Sequence, residues 1–326
     1  RCLSMDVPAQ GVTPLARLNA LDLVKVRTGN DHSIGITAEG DVYVWGDNDY
    51  HQLGSEISAT ALPQLLNMPT TVTPVDVFAA RRSCGVLFEN GGFMDWGYNY
   101  YGRLGQGYTY EQQYPARVPN LWPGAVIPFA GGAHSAALTT LPEVHTWGRN
   151  HHGQLALDST TDYDSPQLTD VANAKNLALG KDHTLVLHHD GSVSSCGDNS
   201  FGQLGHGDNS DRHTATPVAA LSGIHVDKVV AGYEHSLALA ANGHLYAWGA
   251  NDSGQLGITH TFDVNAPQRL LYFDGMTVTD VAAGKEHTLA LTESGDVYAW
   301  GLNNYGQLGI AGVSVVTEPH LVSALA

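Results

Sequence analysis

Histidine is the residue type whose spacing first suggests chemistry in this sequence. Five histidines recur in one local context at multiples of about 50 residues: His32, His134, His183, His235 and His287. Imidazole nitrogens bind Zn²⁺ and act as general acids or bases. Because each histidine belongs to a separate repeat, the five rings would not converge on one ion. We therefore expect each to be buried, to bridge backbone groups between strands of its own repeat, and to bind no metal.

Other signatures of catalysis are absent from the sequence. It contains no G-x-x-x-x-G-K-[ST] phosphate loop, no H-E-x-x-H, no G-x-S-x-G elbow and no EF-hand loop. The three cysteines, Cys2, Cys84 and Cys196, lack the spacing of a zinc site or a disulfide framework. A hydrolase would need a nucleophile paired with a base, and no such pair is evident. The sequence predicts a non-enzymatic protein with no catalytic residue and no cofactor.

The histidines are positioned by a repeat that fills most of the chain. Residues 297–309 read Val-Tyr-Ala-Trp-Gly-Leu-Asn-Asn-Tyr-Gly-Gln-Leu-Gly, and related segments begin at residues 42, 93, 144, 193 and 245. The repeats also share a proline-led segment and, with variations, the motifs Val-x-x-Val-x-x-Gly and His-Ser/Thr-x-x-Leu, which are clearest in the last two copies. Most have a turn such as Asn-Gly or Asp-Gly, which is a strong hairpin signal. Four short antiparallel strands recurring at about 50 residues predict the blades of a β-propeller.

The spacing predicts one all-β domain over residues 1–326. We favour six blades, with seven as the alternative, because six repeats use nearly the whole length. The ring would be closed by pairing of the N- and C-terminal segments. The predicted repeats are residues 14–62, 63–114, 115–165, 166–216, 217–266 and 267–318, with a closing strand at 319–326.

The combined motif Gly-x-x-His-Ser/Thr-x-x-Leu and Trp-Gly-x-Asn-x-x-Gly-Gln-Leu-Gly resembles the repeat of the regulator of chromosome condensation family. The resemblance covers residues 14–325, and the departures include Ser83 for histidine, Ala156 for glycine and Cys196 for tryptophan. It implies a β-propeller, although family members usually have seven blades. The family includes a plant ultraviolet-B photoreceptor whose sensing tryptophans lie between the glycine and the histidine. None of the matching positions here is tryptophan, so light sensing is not predicted.

Two sets of loop residues are candidates for binding a partner. The position before glycine in Asn-x-x-Gly-Gln-Leu is aromatic or histidine in five of the six repeats: Tyr50, Tyr101, His152, Phe201 and Tyr305. Rigid aromatic rings are favoured in protein interfaces, so this aromatic rim is predicted to bind protein, although the rings could simply cover the loop. The second set lies before the histidines and should form an opposite ring of charged side chains: Arg81, Arg82, Lys181, Glu234, Lys285 and Glu286. Ordinary solvated turns explain this second set equally well.

The charge balance restricts the partners. The chain carries 15 Lys and Arg against 32 Asp and Glu, a formal net charge of −17, which argues against nucleic acid and anionic membranes. No apolar run is long enough to span a bilayer. We expect a monomer that binds another protein. The sequence does not name the compartment; we favour a secreted or extracytoplasmic bacterial location over the cytoplasm.

The family resemblance supplies an alternative function, guanine nucleotide exchange on a Ran-like small GTPase. An acidic residue in a Gly-Asn-Asp-His step is important in the family's exchange factor, and the matching residues here are Asp31 and Asp182. Two features count against this alternative. The exchange factor has an inserted β-wedge, for which the even repeat spacing leaves no room, and a basic tail, which this chain lacks.

Overall fold

The computed structural model describes residues 21–119, 121, 126–139 and 143–322. Their regular structure is 24 strands in six four-stranded antiparallel sheets, each following chain order. Three short 3-10 turns lie at Tyr100–Gly102, Ala219–Leu221 and Leu271–Phe273. This is the all-β architecture that the repeat predicts, and its class is the six-bladed β-propeller; the alternative of seven blades is not needed for the described residues.

The strand bounds of sheets one to three are β1 (Leu23–Thr28), β2 (His32–Thr37), β3 (Val42–Gly46), β4 (Thr60–Leu65), β5 (Pro74–Ala79), β6 (Ser83–Phe88), β7 (Phe93–Gly97), β8 (Gln112–Arg117), β9 (Val126–Ala130), β10 (His134–Thr139), β11 (Val144–Gly148) and β12 (Tyr163–Leu168). Those of sheets four to six are β13 (Ala174–Leu179), β14 (His183–His188), β15 (Val193–Gly197), β16 (Arg212–Pro217), β17 (Val226–Ala231), β18 (His235–Ala240), β19 (Leu245–Gly249), β20 (Val264–Arg269), β21 (Val278–Ala283), β22 (His287–Thr292), β23 (Val297–Leu302) and β24 (Val315–Leu321).

The described chain falls into two compact units. The first contains sheets one to three, through Asn150 and over residues 161–170. The second contains residues 151–160 and, from Val171 onwards, sheets four to six. Each unit is described separately below.

The sheets begin one strand later than the predicted repeats. The proline of each proline-led segment belongs to the fourth strand of a sheet, as Pro217 at the end of β16 and Pro319 inside β24 show. A periodic sequence specifies how far apart equivalent strands lie, but not which strand starts a sheet, so the predicted division cuts one strand too early. The predicted ring closure involves residues 14–18, which lie outside the described residues.

Buried tryptophans connect adjacent sheets within each unit. Trp96, Trp147, Trp248 and Trp300 are fully buried. Each donates its Nε1–H to a backbone carbonyl of the preceding sheet: Trp96 to Gln52 at 3.1 Å, Trp147 to Arg103 at 2.8 Å, Trp248 to Gln203 at 2.8 Å and Trp300 to Gln255 at 2.9 Å. The ring thus buries a large apolar area while its polar atom stays hydrogen-bonded.

One pair of departures from the repeat is explained by these contacts. The closing glycine of a repeat has positive φ, and at Gly257 an added Cβ would lie 2.7 Å from Nε1 of Trp300. Ala156 occupies this position in the third repeat with φ 57°. The residue it faces is Cys196 instead of tryptophan, and the smaller thiol, 3.7 Å from the carbonyl oxygen of Gln154, leaves room for a methyl group. The two substitutions compensate for each other.

Four of the repeated histidines, His32, His134, His183 and His235, are buried as expected, whereas His287 is half-buried. The contacts of His32, His183 and His235 bridge neighbouring sheets and not strands of their own sheet. Nε2 of His32 lies 3.2 Å from the carbonyl oxygen of Ser83. Nε2 of His183 lies 3.0 Å from the hydroxyl of Ser236, and Nε2 of His235 lies 3.2 Å from that of Thr288. The expected arrangement was wrong because neighbours within a sheet already satisfy each other's backbone groups, which leaves the ring to serve the next sheet.

No helix in the described part of the chain combines the length and apolar character needed to cross a membrane.

Candidate functional site

The two predicted rings of loop residues lie at the same end of the strands, so the description of the charged ring as opposite was wrong. In an antiparallel meander, the loop after the first strand and the loop after the third leave from the same end of the sheet. In the first unit the Arg82 guanidinium, from the β5–β6 loop, lies 4.1 Å from the ring centre of Tyr50, from the β3–β4 loop. In the second unit the hydroxyl of Ser253, at the aromatic-rim position, lies 3.4 Å from Glu286.

In the first unit, the loops at this end of the sheets carry an arginine–tyrosine cluster, which we define as Tyr50, Arg82, Tyr98, Tyr100, Tyr101, Arg103 and Arg149. Tyr50 meets Tyr98 edge to face with ring centres 5.1 Å apart. Tyr98 stacks on Tyr100 at 6.3 Å, and Tyr100 meets Tyr101 at 4.4 Å. Spacings of this kind are favourable for aromatic pairs, so the four rings support one another.

The three arginines of the cluster lie over tyrosine rings. Arg82 is 4.1 Å from the ring centre of Tyr50 and 5.7 Å from that of Tyr98. Arg103 lies 4.8 Å from Tyr98. Arg149 lies 5.4 Å from Tyr101. These distances fall within the range of cation–π attraction.

The arginines differ in how firmly the fold holds them. Arg103 is 5% exposed and donates to the carbonyl oxygens of Tyr100 and Gly132, at 3.2 and 2.6 Å. It also lies near the buried carboxyl of Asp95. Burial raises the pKa of this carboxyl well above its usual range, and the charge of Arg103 offsets only part of that rise. The fold therefore holds Arg103 in place, and Arg103 in turn supports the ring of Tyr98.

Arg82 has a different character. It is half-buried, and no salt bridge or hydrogen bond from its guanidinium to a described residue accompanies the ring contacts. A guanidinium carries five N–H donors in a fixed fork. Tyr50 and Tyr98 thus hold a cation whose donors are still available to an acceptor from outside the chain.

In the second unit, the predicted charged residues form salt bridges with one another. Lys181 pairs with Glu234 at 2.7 Å, and Lys285 pairs with Glu286 at 2.7 Å. Both ammonium groups also lie over the ring of Tyr233, at 5.0 and 5.5 Å. Hydrogen bonds and neighbouring carboxylates raise the pKa of Lys285. These charges largely satisfy one another, in contrast to Arg82.

The remaining predicted residues are dispersed. Tyr305 is 70% exposed, and Phe201 is half-buried beside the β19–β20 loop, which carries Phe262. Arg81 is half-buried, and its carbonyl oxygen accepts a hydrogen bond from Asn30 N–H at 3.2 Å. Of the two residues matched to the exchange factor, Asp31 is exposed, whereas Asp182 is 4% exposed and accepts a hydrogen bond from Gln154 at 3.1 Å. Only Asp31 is accessible to a partner.

His152 lies in a histidine–carboxylate group that sequence reasoning did not anticipate. Its Nδ1 is 2.8 Å from Asp211 and 3.8 Å from Asp198, and one ligand-type atom of each residue falls within 4.8 Å of the others. Such atoms can bind Zn²⁺. However, Asp198 already accepts hydrogen bonds from Ser200 and Gln203, at 2.6 and 2.7 Å. These bonds and the His152–Asp211 pair account for the arrangement without an ion.

Sequence reasoning also missed Arg103 and Arg149 as members of the arginine–tyrosine cluster. Arg103 stands where other repeats have the glutamine of Gly-Gln-Leu-Gly, and Arg149 directly follows Gly148 of the Trp-Gly pair. Two arginines at rim positions of neighbouring repeats, in a chain with few cations, could have been recognised as a local concentration of positive charge.

The repeated four-stranded sheets, with tryptophan and histidine contacts between them, define a repeat protein of the β-propeller class. Residues 5–326 match the RCC1-like domain, and the chain belongs to this family.

Among its relatives, the chain is similar to the ultraviolet-B receptor UVR8 of Arabidopsis thaliana. The two are 31% identical over 322 residues, which cover 96% of this chain and 72% of UVR8. The human E3 ubiquitin-protein ligase HERC2 is also 31% identical over 322 residues, and there the match spans only 7% of the relative. The positions between glycine and histidine, such as Arg81, Arg82, Tyr233 and Glu234, contain no tryptophan.

Solved structures show the same fold. Prp20p from Saccharomyces cerevisiae, whose crystal structure is described with its binding properties to Gsp1p and histones, superposes with a TM-score of 0.85 and 22% identity. The superposition covers 96% of this chain and 82% of Prp20p. Human WBSCR16 gives 0.82 and 23%, covering 92% and 81%.

Proposed function

We propose that this chain is a non-enzymatic protein-interaction module that binds a protein partner through the arginine–tyrosine cluster. The observation that carries the proposal is Arg82, a cation positioned by Tyr50 and Tyr98 with its donors available. Two kinds of relative fit this role in a general way: a receptor, UVR8, and Prp20p, described with its binding to Gsp1p and histones.

The composition of the cluster matches that of energetic centres in protein interfaces. Tyrosine and arginine are among the residues enriched at such centres, because they offer large contact area and several donors. The rings already contact one another, so they lose less freedom on binding than isolated side chains would. A partner that places a carboxylate or carbonyl oxygen beside Arg82 would satisfy its donors.

The test is quantitative capture of partners by the immobilised chain, followed by affinity measurement with each purified partner. R82A should weaken binding at least about tenfold, as for residues at interface centres. The matched control is R27A, which removes an exposed arginine of β1 whose guanidinium bonds to the neighbouring carbonyl of Val26. Equal affinity of wild type, R27A and R82A for every captured partner would contradict the proposal.

A second candidate function is nucleotide exchange on a Ran-like GTPase. It is favoured by the exposure of Asp31 in the Gly-Asn-Asp-His loop and by the likeness to Prp20p. Exchange requires the protein to bind the nucleotide-free GTPase better than the loaded form. Release of fluorescent GDP from Ran should then be faster with wild type than without it, and D31N should lose the effect. A release rate unchanged by the wild-type chain excludes this candidate.

A further inference from the structure

The second unit contains an open pocket of about 380 Å³ between the β15–β16 loop and the β19–β20 segment. Phe201 and Asn209 line it from the first loop. His260, Phe262, Asp263 and Asn265 line it from the second. Phe201 was predicted as a rim residue, whereas Phe262 was not singled out because its loop position varies between repeats, being Tyr110 in the second and Ser210 in the fourth.

The backbone holds the two walls close together. Gly202 has φ +78°, and a Cβ at this position would lie 2.4 Å from Cα of Asn265, so only glycine allows the approach. The N–H of Gly207 donates to the carbonyl oxygen of Asn265 at 2.8 Å. The side chain of Asn265 donates to Oδ1 of Asn209 at 3.3 Å. The pocket is thus formed by the fold before any ligand arrives.

The charge in the pocket is negative and uncompensated. Oδ1 of Asp263 accepts the N–H of Asn251 at 2.9 Å, and no Lys, Arg or His of the described chain forms a salt bridge with this carboxylate. Partial burial raises the pKa of Asp263, and the nearby charges of Asp252 and Glu234 raise it further. Nδ1 of His260 accepts the N–H of Phe262 at 3.2 Å, so this nitrogen carries no proton in the described arrangement.

The aromatic walls complete the arrangement. Phe262 is 76% exposed, although phenylalanine is among the residues most often buried in folded proteins. Its ring lies 5.7 Å from that of His260. Aromatic faces attract cations, and they do so most strongly beside a carboxylate that adds its own charge.

We propose that this pocket binds a cationic side chain, the ammonium of Lys or the guanidinium of Arg, presented by a basic peptide segment. The cation would lie against Phe201 and Phe262 and pair with the carboxylate of Asp263. This site lies in the second unit and does not depend on the arginine–tyrosine cluster, so either proposal can fail alone.

Other ligand classes fit the pocket less well. An anion would be repelled by Asp263 and its acidic neighbours, within a chain of net charge −17. A purely apolar ligand would remove water from the carboxylate without offering it a partner, which is costly. A cation supplies both the missing charge and a surface that aromatic rings attract.

The experiment is an NMR titration of the full chain with three short capped peptides. The first is Gly-Arg-Gly, the second is Gly-Lys-Gly, and the third replaces arginine by citrulline, which has nearly the same shape without the charge. We expect the arginine or the lysine peptide to shift the amide signals around Phe262 and Asn265, and citrulline to leave them in place. Absence of shifts with both cationic peptides, or equal shifts with citrulline, would overturn the proposal.

Three variants locate the site. D263N keeps an oxygen that can accept the N–H of Asn251 but removes the charge, and should weaken the cationic peptide about fivefold. F262A removes an exposed ring and should weaken it about threefold. The matched control E293Q removes one negative charge from the exposed β22–β23 turn and should leave the affinity unchanged. The proposal is wrong when D263N and F262A both bind as tightly as E293Q.

Discussion

At neutral pH the repeated histidines must be uncharged, because a buried imidazolium would lose its hydration. Burial lowers the pKa of His32 and of His183 to about 4. It lowers the pKa of His235 to about 3, and the neighbouring His183 and His287 contribute to the shift. The histidine of one sheet therefore acts as a neutral hydrogen-bonding link to the next sheet, which gives the repeat a structural reason to retain it.

This state predicts a loss of stability in mild acid. Above pH 6.5 these histidines are neutral in both the folded and the unfolded chain. As the pH falls below 6.5, the unfolded chain takes up protons that the folded chain refuses until its lowered pKa is reached. Each such histidine should therefore reduce the free energy of unfolding by about 1.4 kcal/mol per pH unit in this window. Urea unfolding between pH 4 and 7 measures the slope.

A histidine variant isolates this contribution. The buried carboxyl of Asp95 has a raised pKa and acts in the opposite sense, since it favours the folded state at low pH and loses this effect as the pH rises. The difference between wild type and H235Q removes this background, and H235Q should flatten the slope by about 1.4 kcal/mol per pH unit. H320Q, at an exposed position of β24, is the control. A slope equal in wild type and H235Q would contradict the neutral state.

At the level of strands, sequence reasoning identified the sheets because the relevant signals are local. Asn242-Gly243 joins β18 to β19, and Gly243 has the positive φ, +80°, that such a turn requires. The alternating apolar strands on either side are equally explicit in the sequence. The start of each sheet was displaced by one strand, because hydrogen bonding between the third and the proline-led strand leaves no mark in a periodic sequence.

The placement of the two loop sets could also have been derived from strand order alone. Loops after odd-numbered strands of a four-stranded meander leave from the same end of the sheet. The Tyr50 loop and the Arg82 loop must therefore lie at the same end. What strand order could not supply is the length and direction of the side chains. Arg82 reaches from sheet two to a ring of sheet one, and its guanidinium lies over the ring face, which strand order does not specify.

Over the whole chain, the regular part of each repeat was predictable, and the candidate sites lie where the repeat is broken. Arg103 replaces a glutamine of the motif, and Phe262 lies at a loop position that differs between repeats, being Tyr110 in the second and Ser210 in the fourth. A repeat identifies positions that every copy needs for folding. Residues that depart from it are released from that constraint, so they are where partner binding can evolve, and one sequence alone does not show which departures matter.

The net charge of −17 leads to a prediction for the whole molecule. Carboxylates outnumber cations by about two to one, and self-repulsion of this size destabilises a compact chain. Raising NaCl from about 10 to about 150 mM shortens the screening length from about 30 to about 8 Å, so the melting temperature should rise. The variant E39Q/E293Q/E318Q changes three exposed glutamates and should melt higher than wild type at low salt, with the gap closing at high salt. A melting temperature that falls with salt, or a gap independent of salt, would show that local pairs and not overall repulsion control stability.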